Sequence, residues 1–264
     1  MRRPCFTLVE MIVVVLIIAL LMAILLPALR NSRRQAEAVV CSSNIKQLLL
    51  GLLNYETENR TLPYAFYREH SMEEPLGGYA GNPAYDRRGW WWFNFIEGYY
   101  IKSDSRKTVT RCPSKRLRGR GLEDSILCGN YGVNQSICKS SLGLHDEFIG
   151  KPLRSSDISR SADTLLIVDS GYAMINWWHV TDEPPESLED YTEDIAAYIP
   201  GLCINEKRKI RHGQEYDAIY GRHPNKTVNV GFADNHVSRI EADNLFVEKT
   251  ANNYRNKSPL WVQN

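Results

Sequence analysis

Residues 6–26 read FTLVEMIVVVLIIALLMAILL, an apolar run of twenty-one residues interrupted by one charge, Glu10. At about 1.5 Å rise per residue, a helix over this run is about 30 Å long, the thickness of a bilayer's hydrocarbon core. No charged residue occurs from Met11 to Leu29, and no second run of this kind follows. A multi-span membrane protein is therefore excluded, and so is a simple soluble one. Of the 264 residues, 43% are hydrophobic and 24% charged, a globular composition that excludes collagen-like and low-complexity classes. Lys plus Arg number 32 against 31 for Asp plus Glu, so nothing in the charge favours a nucleic-acid partner.

Glu10 discriminates between the readings of this segment. An ionised carboxylate in lipid costs roughly 2.5 kcal/mol or more, so it needs a compensating role. A secretory signal carries a small-x-small cleavage site after its apolar core. Here Ala23 and Ala28 each have a Leu two places earlier, Leu21 and Leu26. A plain membrane anchor accounts for the length and leaves Glu10 without a purpose.

The stretch RRPC-FTLVE (2–10), followed by the apolar run and Pro27, resembles the class III signal of prepilins, type IV pilins and pseudopilins. The resemblance implies a leader, residues 1–5, cut between Cys5 and Phe6 by a prepilin peptidase, with Phe6 becoming the N-methylated first residue. Cys5 stands where the family normally has Gly. The resemblance also places the family's assembly glutamate at Glu10 and its helix-kinking proline at Pro27. Packed in a filament core, the Glu10 carboxylate would pair with the N-terminal amine of a neighbouring Phe6, turning a costly charge into a registry device. Orientation follows from the resemblance too. Arg2 and Arg3 before the span nearly balance Arg30, Arg33 and Arg34 after it. The family implies an N-terminus inside the bacterial cytoplasmic membrane and a periplasmic or extracellular head.

Beyond Pro27, Ala28, Ala36, Val39, Val40, Ile45, Leu48, Leu49, Leu52 and Leu53 recur near helical spacing. One long helix is expected, with residues 6–26 in the membrane and 27–59 amphipathic and packed on the head. The head, 60–264, lacks long amphipathic runs. Thr164–Asp169, Tyr172–Ile175 and Thr227–Ala233 are its clearest strands. The expected fold class is α+β: a pilin-like long N-terminal helix packed on an antiparallel β-sheet head with long loops.

Several head segments resemble the prepilin-type proteins with an H-X9-DG processing-associated region. They are Cys41–Pro63 (CSSNIKQLLLGLLNYETENRTLP), RCPS (111–114), NYGVN (130–134), TLLIVD (164–169) and RHPNKTVNVGFADNHVSRI (222–240). Ten residues rather than nine separate His223 from Asp234, and Asn235 replaces the motif's glycine. The residues of 222–240 predict a hairpin: strand 228–232, turn 233–235, strand 236–240, with Asn235 at positive φ and the added residue in the turn 224–226. A metal or proton-transfer site at His223 and Asp234 is the alternative, and no third ligand is evident nearby in the sequence.

In an oxidising compartment Cys112, Cys128, Cys138 and Cys203 are candidates for disulfides, with Cys112 pairing Cys128 or Cys138. No CxxC pair is present, so no zinc site, and no cofactor of any kind, is expected. Trp90, Trp91 and Trp92 form an aromatic block. Consecutive residues on a strand cannot all face inward, so this block is a candidate glycan- or partner-binding patch as well as core. GxSxG, HExxH, Walker A and strand-linked GxGxxG motifs are all absent. The sequence thus predicts a non-enzymatic subunit of a pilus or type II secretion pseudopilus, partnered by prepilin peptidase and by other subunits. A non-polymerising, membrane-anchored binding protein for a glycan or cargo protein is the first alternative. An exported enzyme is the second.

Overall fold

The computed structural model describes residues 7–68, 89–96, 109–119, 121–143, 145–185, 197–208, 210–251, 253–255 and 259–261. One helix, α1 (Leu8–Asn59), dominates it. Thr7 caps its first turn reciprocally: Glu10 N donates to Thr7 Oγ1 at 3.3 Å, and Glu10 Oε2 accepts from Thr7 N at 2.7 Å. The helix continues through Pro27, and ends where Arg60 turns left-handed at φ 63°. The helix is long and apolar enough to cross a membrane.

The two halves of α1 differ in what covers them. Every large apolar side chain between Leu8 and Leu29 is exposed, from 45% at Val14 to 76% at Leu8. Further along, Ala38, Cys41, Ile45, Leu48, Leu49 and Leu52 recur every three or four residues and are fully buried. Val39 and Val40, expected on this stripe, lie on the solvent side at 60% and 50% exposure. The reason is angular: the stripe running from Ala38 and Cys41 leaves both valines on the opposite face.

The head is a five-stranded, mostly antiparallel sheet. Its strands are β3 (Tyr131–Asn134), β4 (Leu165–Asp169), β5 (Met174–Ile175), β6 (Thr227–Phe232) and β7 (Val237–Glu241), after a separate pair β1 (Phe66–Tyr67) and β2 (Trp90–Trp91). Across the sheet the order is β5-β3-β4-β6-β7, with only β3 and β5 parallel. The chain is therefore α+β. The predicted hairpin is present as β6 and β7, with Asn235 at φ 73° in its turn. Asn225 and Lys226, also at positive φ, take up the extra residue before β6.

Both faces of the sheet are covered, which is why β4 opens with the unbroken apolar run Leu165–Val168. On β6, Val228, Val230 and Phe232 point into a core built with Trp177, Trp178, Val180, Leu202, Val247 and Trp261. Asn229 and Gly231 alternate to the other side and meet α1. On β4, an irregularity between Leu165 and Ile167 resets the alternation, so that Ile167 joins the α1 face. Two residues on, Asp169 shares that face. A carboxylate is thereby turned toward the buried side of a helix.

Candidate functional site

Four chemically active side chains converge beneath α1, and each comes from a different element. Cys41 is on the buried stripe of the helix, Cys112 lies in the loop before β3, Asp169 ends β4, and His223 precedes β6. All four are buried, and one ligand atom from each lies within 4.8 Å of the other three. Cys41 Sγ sits 3.6 Å from Cys112 Sγ and 3.0 Å from Asp169 Oδ1. His223 Nε2 lies 3.1 Å from Asp169 Oδ2.

Asparagines position this cluster. Asn229 gives its backbone N–H (2.7 Å) and its side-chain amide (3.1 Å) to Asp169 Oδ2. Asn130 Oδ1 accepts the Cys112 backbone N–H at 3.1 Å. Behind the cluster, Arg222 is fully buried and bound on every side. It donates to both Asp217 carboxylate oxygens, to Asn130 O at 2.7 Å and to Ser170 O at 2.7 Å. Tyr198 Oη adds a 2.8 Å hydrogen bond to Asp217 Oδ2. A buried ion pair this completely hydrogen-bonded is anchored in place.

The environment separates the two thiols. Burial pushes the Cys41 thiol well up, and its hydrogen bond with Cys112 and the charge of Asp169 reinforce this. Burial opposes ionisation of Cys112 as well, but hydrogen bonds from Cys41 and His223 and the Arg222 charge outweigh it, bringing that thiol down to about 6. Burial would lower His223, yet the Asp169 carboxylate raises it to about 9. Asp169 itself is held low, its burial outweighed by His223 and Arg222. Such a set can ligate a metal, form a Cys41–Cys112 disulfide, or present a thiolate–imidazolium pair. The last needs substrate access, and Cys112 is only 4% exposed.

The sequence-predicted residues fare differently. Cys5 and Phe6 lie outside the described residues. Glu10 caps α1, and Pro27 lies inside it. His223 and Asp234 are not brought together: the six residues of β6 stand between them, about 20 Å of strand. Asp234 instead pairs with His236 at 2.6 Å on the surface. His223 does have further donors around it, contrary to the sequence reading. They are Cys41, Cys112 and Asp169.

No disulfide links the predicted cysteines; Cys41, Cys112, Cys128, Cys138 and Cys203 are all free thiols. Cys112 Sγ instead lies 3.6 Å from the Sγ of Cys41 on α1. The aromatic block is not an open platform either. Trp91 ends β2 and Trp92 begins a short helix, α2 (Trp92–Ile96), so the chain turns between them and both rings go inward. Their exposures are 0% and 1%, and Trp90 is half-buried. Trp92 Nε1 donates to Ala173 O at 2.7 Å, and Trp91 packs edge-on against Tyr172.

No protein-family model matches the chain, and neither does any curated protein or solved structure. The fold and the site therefore define its class by themselves: an α+β head on a membrane-length helix, with a buried Cys-Cys-Asp-His cluster where the two meet.

Proposed function

We propose that this chain is a pilin-like structural subunit. It is inserted in a bacterial cytoplasmic membrane by α1, cut before Phe6 by a prepilin peptidase, N-methylated there, and assembled through the helix into a pilus or secretion pseudopilus. The observation that carries the reading is the split of α1. One half is core to the head, while the other exposes every large apolar side chain it has. Burying a Leu, Ile or Val is worth about 1.5–3 kcal/mol, so this half must be covered by lipid or by neighbouring helices. A second support is the chemistry of Glu10, whose only polar partner among the described residues is Thr7. In an assembly its charge becomes useful through a neighbour's terminal amine.

The readings by which the chain binds glycan through an aromatic patch or acts at a His223–Asp234 site lose their support, because Trp91 and Trp92 are core and the His–Asp pair is separated. Tandem mass spectrometry of the N-terminus, on protein from its native membrane, tests the proposal. A chain beginning at N-methyl-Phe6 supports it, and a chain beginning at Met1 sinks it. Assembly of Glu10→Gln is the companion test. Gln retains the capping box and removes the charge, so unimpaired filaments would rule out the registry role.

A further inference from the structure

We propose that Cys41, Cys112, Asp169 and His223 form a closed site for one divalent ion of the zinc class, which clamps α1 to the sheet. Geometry is the first ground. Zinc bonds of about 2.0–2.3 Å to N, O and S set tetrahedral ligands about 3.3–3.8 Å apart. The Cys41 Sγ–Cys112 Sγ separation of 3.6 Å falls in that range, the Cys41 Sγ–Asp169 Oδ1 separation of 3.0 Å is a little short of it, and one ligand atom from each of the four residues lies within 4.8 Å of the others.

The surroundings supply the second ground. Asp169 Oδ2 is taken by Asn229 and His223, which leaves Oδ1 directed at the Cys41 sulfur. His223 has Nε2 against that carboxylate, while its Nδ1 is buried with no hydrogen-bond partner. Nε2, the nitrogen that faces the carboxylate, is the one that would bind the ion, giving up its contact with Asp169 Oδ2. Two thiolates, one carboxylate and a dication leave one net negative charge, and the buried Arg222 acts electrostatically on both Cys112 and Asp169. Binding releases two protons from the thiol–imidazole set to solvent and changes no oxidation state.

Thiolate and imidazole donors select zinc over calcium or magnesium, which take oxygen ligands. Four protein ligands with no open position make the site structural. Packing and a few hydrogen bonds, such as Asn44 Nδ2 to Arg111 O, already join these elements, and the ion would bond the helix to three further places in the head. A groove lined by Val40, Asn44, Arg111 and Cys112 gives the ion a way in. None of this depends on whether filaments form.

The test uses the full chain, purified in detergent under reducing conditions and loaded with Zn²⁺ or Co²⁺ alone. About one equivalent should stay bound through gel filtration, as four protein ligands require. The cobalt form should show thiolate-to-metal charge transfer in the near ultraviolet and the intense visible bands of tetrahedral coordination. Cys128→Ser, Cys138→Ser and Cys203→Ser should change neither, whereas Cys112→Ser and His223→Ala should weaken binding about tenfold or more. The wild-type cobalt spectrum needs no variant, so misfolding of a variant leaves the question decidable. Substoichiometric metal, a cobalt spectrum without charge transfer, or a Cys41–Cys112 disulfide in the zinc-loaded protein would each overturn the site.

Discussion

Gly231 on β6 lies so close to α1 that a methyl group there would sit 2.7 Å from Leu49 Cδ1. Ile45 and Ile167 side-chain carbons crowd the same point at 2.8 Å. The absence of a side chain at this one strand position sets how near the helix comes to the sheet. That approach in turn brings Cys41, two turns earlier on α1, down to Asp169 and Cys112.

Gly231→Ala should therefore push the helix off the sheet. Overpacking of this kind costs about 1–3 kcal/mol, read as a lowered thermal midpoint of the full chain in detergent. Adding Leu49→Ala should return part of the loss, since the two side chains compete for one space. Strict additivity of the two changes would show that contact is not what matters there.

Arg222 and Asp217 give a second prediction. Arg222→Met alone strands a buried carboxylate, and Asp217→Asn alone strands a guanidinium; each should cost about 3–5 kcal/mol. Replacing both by apolar residues of similar volume should cost much less than the sum of the singles. A denaturation double-mutant cycle decides it, and a coupling near zero would contradict the pairing seen.

His179 predicts a pH dependence. Burial, and then the nearby Arg208 charge, lowers its pKa to about 3, and its Nδ1 lies 3.3 Å from the Asn176 backbone N–H, which needs an acceptor. Its unfolded value is about 6.5. Below that pH the unfolded chain takes up a proton that the folded one refuses. The stability His179 contributes is thus complete above about 6.5 and is lost progressively as pH falls toward 3, by at most about 1.4 kcal/mol per pH unit. His179→Asn, which keeps an acceptor and cannot be protonated there, should flatten the stability profile relative to wild type between pH 6 and about 4. Parallel profiles would refute this assignment.

Asn235 holds φ at 73°, where a side chain beyond Asn or Gly is strained. Asn235→Gly should fold at least as well as wild type. Asn235→Val should cost about 1–2 kcal/mol, measurable by urea unfolding of the two variants side by side. Equal stability of both would mean the turn relaxes.

The membrane-length helix, its amphipathic continuation, three of the strands and the β6–β7 hairpin were legible in the sequence. All are local: apolar periodicity, turn residues and run length act over neighbouring positions and need no partner to be read. The closing of α1 near residue 59 belongs with them, and so does the positive φ of Asn235. The four donors of the cluster also stood in the sequence, each inside one of the segments that carry the H-X9-DG resemblance.

Their convergence was beyond the sequence's reach. Metal spacing is recognised locally, as two cysteines a few residues apart, whereas here each donor arrives on its own element, Cys112 lying 71 positions and Asp169 128 positions along the chain from Cys41. Only the reset of alternation in β4, the bare Cα of Gly231 and the seating of the helix across the sheet turn those side chains toward one point. The same packing took Trp91 and Trp92 inward and set His223 and Asp234 apart. Chain periodicity thus determined which elements form and which half of the helix needs covering, while side-chain meetings between distant segments were decided by how the faces of those elements pack.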